Sequence, residues 1–231
     1  IRRDKLKVLK DAAVGRISVN PQTMNNETLE VIGRRHTAEQ TIDAYALARE
    51  EGFDNINMDI ILGLPGEGIS HVEKTMEEIL RLRPDSLTVH SLAMKRSAGM
   101  KDWTDSKFEE INQRTEQTGN GGYRESNSPE RMMEIAYSGA ERMGLLPYYL
   151  YRQKNIAGNL ENVGFAREGK FGIYNILMME EVQSIVALGA GTVSKCVRSK
   201  KDIRRCDTAK DIGLYMDRIE EMIERKRILF S

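Results

Sequence analysis

Apolar and polar positions alternate over residues 16–21 (RISVNP), where Ile17 and Val19 fall on one side, and this predicts a short strand. Residues 55–62 (NINMDIIL) are almost continuously apolar after Ile56. A run of that kind predicts a strand covered on both faces, as in a parallel sheet. Residues 86–90 (SLTVH) read as a third strand and residues 147–151 (PYYLY), rich in aromatics, as a fourth.

Helices fill the intervals. Thr37-Ala38-Glu39-Gln40 has the form of a capping box, and the helix it opens runs to Glu51 and stops at Gly52. Ser70-His71-Val72-Glu73 reads as a second box. Val72, Met76, Ile79 and Leu80 then recur at the spacing of one buried helical stripe, which Pro84 ends. Ser128 followed by Pro129 predicts an N-cap with proline at the first helical position. Met132, Ile135, Ala136, Ala140 and Met143 form that helix's apolar face, and Gly144 closes it. Near the end, Asp207 is expected to cap one long helix with Ile212, Tyr215, Met216, Ile219, Met222 and Ile223 as its stripe.

Strands alternating with helices of this length predict βαβ units and a parallel sheet. Residues 95–127 break the pattern. They are polar, carry Gly119-Asn120-Gly121-Gly122, and read as a flexible excursion with a short helix near residues 105–113.

Composition narrows the function classes. The 231 residues include 35 Lys plus Arg and 35 Asp plus Glu, so the net charge is zero, and 40% are hydrophobic. That apolar content excludes a disordered chain. Charge neutrality argues against a general nucleic-acid or membrane-surface binder, since both need a basic field. No apolar run approaches the roughly 18 residues of a spanning helix, and no apolar core of a signal peptide follows the first residues. The chain does not start with Met and is expected to be a fragment or processed product. Two cysteines, Cys196 and Cys206, exclude a disulfide scaffold and read as reduced thiols of a cytoplasmic protein. His36, His71 and His90 are scattered, and with no HExxH or CxxC no metal site is expected within the chain.

In parallel α/β folds the chemistry gathers at the carboxyl ends of strands. Asp59 is the most informative residue there. A carboxylate beside Met58, Ile60 and Ile61 is expensive unless it is paired or hydrogen-bonded. Two readings stay open: a ligand contact pointing into the barrel, or a structural partner for Arg34 or Arg35. Gln22, extended after Pro21, is equally a ligand contact or a capping amide. Gly63-Leu64-Pro65-Gly66 reads as a turn, and Gly189-Ala190-Gly191 is a lone GxG with little specificity. The residues lead to a partly closed parallel α/β barrel whose polar mouth holds Gln22, Asp59 and Arg34, without a set that names a reaction.

Longer phrases carry a resemblance. RISVNPQTMNNETLEVIGRRH, GFDNINMDIILGLPGE, YYLYRQKNIAGNLENVGFA, LGAGTVSK and RCDTAKDIGLYMDRIEEMIERKR resemble, in order, the radical S-adenosylmethionine (SAM) enzymes of the oxygen-independent coproporphyrinogen III oxidase family. The similarity looks closest to the coproporphyrinogen dehydrogenase branch of Gram-positive bacteria. It implies the later half of a partial TIM-like (β/α)6 barrel plus a C-terminal α+β extension. It also implies SAM and a [4Fe-4S] cluster as cofactors, an electron donor for that cluster, and coproporphyrinogen III as substrate. In the family a 5′-deoxyadenosyl radical takes hydrogen from two propionates, whose decarboxylation gives protoporphyrinogen IX.

Carried over by position, the resemblance places Gln22 and Asp59 at the SAM ribose, Arg34 at its carboxylate, Ala93 as a backbone contact near the adenine, and Val193 as an apolar adenine contact. It divides the chain into barrel (residues 1–94), excursion (95–127), and last barrel elements with extension (128–231). The CxxxCxxC motif that holds the cluster is absent, as is the glycine-rich segment for the SAM amino group. The expectation is a chain that carries the later strands and, alone, binds no cluster and has no radical activity. No residue is named as catalytic. Arg152, Lys154 and His90 are candidates for the substrate carboxylates on charge and position, against the reading that they are solvated or structural. The alternative function is a haem-trafficking chaperone of the same superfamily.

Overall fold

In a computed structural model the structure describes residues 1–92, 128–151 and 162–231. They fall into two compact units, Ile1–Phe171 and Gly172–Ser231. The excursion expected over residues 95–127 lies outside the described residues, as do Ala93, Arg152 and Lys154.

The first unit opens with helix α1 (Arg3–Asp11), strand β1 (Ile17–Ser18) and helices α2 (Asn26–Val31) and α3 (Ala38–Glu50). It continues through β2 (Ile56–Leu62), α4 (Ile69–Leu82), β3 (Ser86–Ser91), α5 (Pro129–Arg142), β4 (Leu146–Tyr151) and β5 (Asn162–Ala166). One five-stranded sheet runs in the order β1-β2-β3-β5-β4. β1, β2 and β3 are parallel, as the βαβ pattern predicts. β5 is antiparallel to both β3 and β4, so the expected parallel sheet is in fact mixed. The reason is β5 itself, a strand absent from the sequence reading because NVGFA is short and centred on glycine. Inserted between β3 and β4, it is the one strand of this sheet, among the described residues, that runs the other way; β4 again runs with β1–β3.

The sheet has two unlike faces. Met58, Ile60 and Leu62 of β2, Leu87 and Val89 of β3, and Val163 and Phe165 of β5 share one face in register. They form the core with Val72, Met76 and Ile79 of α4 and with Met132, Ala136 and Ala140 of α5. α4 and α5 cross closely at Gly139, where a Cβ would lie 2.3 Å from Met76 Cε. The opposite face carries Asn57, Asp59, Ser86, Thr88, His90 and Asn162. Among the described residues, β2 is therefore covered by helices on one side. The apolar run suggested burial on both sides because Ile61, on the polar face, masks the alternation.

The local signals hold at several ends. Gln40 N donates to Thr37 Oγ1, and Thr37 N to Gln40 Oε1, both at 3.2 Å, which is the capping box at α3. Ser128 Oγ accepts from Arg131 N at 3.2 Å at the start of α5. At α4 the cap differs. The N-cap is Gly68, and His71 Nδ1 accepts from Gly68 N at 3.1 Å, so His71 is part of the cap.

Asp85, 8% exposed, ties the strands together at their amino ends. Its Oδ2 accepts from Ile56 N at 2.9 Å and pairs with Arg49 Nη1 at 2.7 Å. Asp85→Ala removes both partners from one buried point. The expected loss is about 2–4 kcal/mol, kept moderate because the Arg49 side chain is 30% exposed and partly screened. The shift of the urea midpoint measures it.

The second unit holds α6 (Ile173–Met179), the antiparallel hairpin β6 (Val193–Ser199) and β7 (Asp202–Asp207), α7 (Ile212–Asp217) and α8 (Ile219–Phe230). The single long helix expected from Asp207 is two helices. Asp207 ends β7, and Asp211 is the cap, its Oδ1 accepting from Leu214 N at 2.9 Å. The chain breaks at Arg218 (φ −116°, ψ 29°). That break splits the stripe: Met222 is buried, whereas Ile212 and Met216 are exposed. Gly189-Ala190-Gly191 is a turn in which Thr192 Oγ1 and Thr208 Oγ1 each donate to Gly189 O at 2.9 Å.

Candidate functional site

The polar sheet face of the first unit gathers the chemistry. Register sets Ser18 beside Asn57, Asn57 beside Ser86, Asp59 beside Thr88, and Thr88 beside Gly164. Gly164 in turn faces Tyr149 of β4. Asn57 and Thr88 are 3% and 4% exposed, so their polar atoms must find protein partners. Asn57 Nδ2 donates to Asp59 Oδ1 at 2.6 Å, and Thr88 Oγ1 donates to Asn57 Oδ1 at 3.3 Å. The Tyr149 ring lies over Gly164, next to Thr88 in the register. At the lower end of the same face, Arg16 Nη2 donates to Ser86 Oγ at 3.2 Å, while its buried Nε has no partner.

Gln22 and Asp59 meet through the backbone. Gln22 N donates to Asp59 O at 3.0 Å, and Ile61 N donates to Gln22 O at 2.9 Å. β1 thus resumes its pairing with β2 after the interruption at Pro21. Gln22 has φ 66°, a left-handed conformation uncommon for a residue with a side chain and typical of constrained sites. A buried clamp holds this corner. Glu67 Oε1 accepts from Thr23 Oγ1 at 2.5 Å and from Asn25 Nδ2 at 3.1 Å, and Met24 N donates to Thr75 Oγ1 at 3.1 Å. The turn after β2 and the first turns of α4 are thereby fastened to the segment after Gln22.

Of the two readings of Asp59, an arginine partner is not what the structure holds: its carboxylate is bonded to Asn57. Asp59 Oδ2 has no partner among the described residues. Arg34 is exposed and makes no ion pair among the described residues. His36, two positions on, contacts Pro21 O through Nε2 at 3.2 Å, so the connection bearing Arg34 is fastened to the segment bearing Gln22. His90 lies on the Asp59 face. Burial pushes its imidazole below the usual histidine range, against the opposing pull of the Asp59 charge. Val193, at the start of β6 in the second unit, is 47% exposed and pairs with Asp207.

Sequence reasoning missed Asn57, Thr88, Tyr149 and Gly164. Asn57 could have been found, two positions before Asp59 on the same strand face. The others depend on pairing that no local pattern encodes.

A SAM ribose offers two hydroxyl donors, and the Asp59 carboxylate, with Oδ1 held and Oδ2 open, suits them. An iron–sulfur cluster is another matter. Its usual thiolate ligands are not here, since Cys196 and Cys206 are the chain's two cysteines and sit on neighbouring hairpin strands. Among the described residues no cluster of His, Cys, Asp or Glu could hold a metal, and no helix is long and apolar enough to cross a membrane.

Known proteins match this arrangement. The radical SAM superfamily profile matches residues 1–79. The chain is 44% identical over 229 residues to the oxygen-independent coproporphyrinogen-III oxidase-like protein HemZ of Bacillus subtilis, covering 98% of this chain and 42% of that protein. It is 39% identical over 92 residues to the heme chaperone HemW of the same organism, covering 40% of this chain and 24% of that one. The solved structure of coproporphyrinogen III oxidase (HemN) from Escherichia coli superposes with a TM-score of 0.62 at 18% identity, covering 96% of this chain and 46% of that chain, and shows the shared fold. The chain thus spans less than half the length of these relatives. It belongs to the radical SAM superfamily and, within it, to the oxygen-independent coproporphyrinogen-III oxidase-like proteins of the HemZ type.

Proposed function

We propose that this chain forms the SAM-ribose and substrate side of a radical SAM oxidoreductase that decarboxylates coproporphyrinogen III to protoporphyrinogen IX in haem synthesis. The observation that carries the reading is the 44% identity sustained through 98% of the chain to an oxidase-like relative. Bound SAM would supply the hydrogen-abstracting chemistry. The chain's own residues would bind and orient it: Asp59 accepts from the ribose hydroxyls, Gln22 lies beside it through the shared backbone bonds, and Arg34, which makes no ion pair among the described residues, offers its guanidinium for the SAM carboxylate. His90, whose imidazole burial pushes below the usual histidine range, lies on the same face as Asp59 and would meet the substrate. Residues 1–94 form the barrel portion, and the protein works in the cytoplasm with an electron donor. The cysteines present do not fit a cluster, so this chain alone is inactive in radical chemistry.

A haem chaperone is the second reading, favoured by the 39% identity to HemW over 92 residues. Anaerobic incubation of the full-length natural protein with SAM, reductant and coproporphyrinogen III separates them. The oxidase reading expects 5′-deoxyadenosine together with a porphyrinogen lighter by two formic acid equivalents in one mass-spectrometry run. SAM cleavage with untouched porphyrinogen, and tight binding in a haem titration, would move the assignment to the chaperone.

A further inference from the structure

One strand insertion reaches far across the polar face. β4 and β5 pair Pro147 with Phe165 and then Tyr149 with Gly164, so the register shifts by one residue at Tyr148. This bulge re-aims the strand and brings Tyr149, rather than Tyr148, opposite Gly164. The Tyr149 ring occupies the space where a side chain at 164 would be. A Cβ built there would lie 1.8 Å from Tyr149 Cε1 and 2.7 Å from Cζ. The ring crosses β5 through this gap, on the side of Gly164 that faces its register partner Thr88 on β3.

The polarity of the row is fixed from one end. A carboxylate accepts, so Asn57 must turn its amide nitrogen toward Asp59, as observed at 2.6 Å. Its carbonyl oxygen then faces Thr88, whose hydroxyl donates to it at 3.3 Å. The Thr88 hydroxyl has spent its one hydrogen there and can only accept from the side of Tyr149, a need that a phenol donor would meet. Each bond dictates the next from β2 to β3.

We propose that the Tyr149 phenol donates to Thr88, and that Tyr149, Thr88 and Asn57 are positioning residues that hold the Asp59 carboxylate in one rotamer, with its second oxygen presented to the vicinal hydroxyls of a bound nucleoside. The inference rests on the reading of Asp59 as a ribose acceptor. Gly164 is the residue that lets the row exist.

The test uses the full-length natural protein and two competitors of SAM, adenosine and 2′,3′-dideoxyadenosine. The ratio of their inhibition constants reports on the hydroxyl contacts alone. Asp59→Ala is expected to remove the preference for adenosine. Tyr149→Phe, which deletes one hydroxyl from the row, is expected to reduce the preference roughly three- to tenfold while dideoxyadenosine binds as before. Thr88→Val, of equal shape, is expected to do the same, and unchanged dideoxyadenosine binding shows that either variant is folded. If Asp59→Ala loses the preference but Tyr149→Phe and Thr88→Val keep it, the positioning role is overturned and the ribose site stands. If Asp59→Ala keeps the preference, the ribose reading falls and takes the inference with it.

Discussion

Replacing Asp59 by asparagine is expected to weaken the apparent affinity of the full-length protein for SAM by roughly 10- to 150-fold, the range of a charged hydrogen bond. The substitution is nearly isosteric. Its amide oxygen can keep the bond from Asn57 Nδ2, so the sheet should be undisturbed. The other position then becomes an NH2 donor facing hydroxyls that also donate. The loss should fall on KM for SAM rather than on the melting temperature, and steady-state kinetics beside a thermal melt tell the two apart. An unchanged KM would remove Asp59 from the SAM site.

Asp59 also shows how far the sequence could lead. A carboxylate in an apolar strand is legible from residue order alone, and its location on a strand neighbouring Gln22 follows from the βαβ pattern. The capping box at Thr37 and the apolar stripes of α4 and α5 are equally local, and each is found close to where the spacing puts it. What fails is non-local. Asp207 has the chemistry of a cap, but hairpin pairing claims it and Asp211 caps instead. β5 is invisible because five residues with a central glycine lack periodicity. Tyr149 looks like one of three aromatics in PYYLY until the bulge and Gly164 single it out. Arg34 is readable as a cation near the strand ends, whereas the bond between His36 and Pro21 that fastens its segment is not.

Phe165→Ala is expected to destabilise the first unit by about 3–5 kcal/mol, the usual cost of deleting a buried phenyl ring. Phe165 is 1% exposed and lies on the helix-covered face of β5, paired with Leu87 on one side and Pro147 on the other. Its ring meets Tyr137 of α5 edge to face at a centroid distance of 4.8 Å. Deletion would leave a cavity between sheet and helix that backbone pairing on both sides prevents from closing. Chemical denaturation of the chain measures the loss. A value below about 1 kcal/mol would mean that α5 can settle into the space, contrary to the close packing of interiors. Phe165→Leu, which retains most of the volume, should lose much less.

The antiparallel docking of β5 against β3 has a consequence for the order in which the chain assembles. β1, β2 and β3 can pair through compact βα crossovers, but the bond from Ser91 N to Asn162 Oδ1 joins residues 71 apart. Closing so long a loop costs entropy before any contact rewards it, and non-local pairing of this kind slows folding. Asp59, Gln22 and Asn57 would then come together early on the parallel half. Tyr149 and Gly164 arrive only when the last two strands join the sheet, so the polar face that carries Asp59 would be completed in the final step of folding.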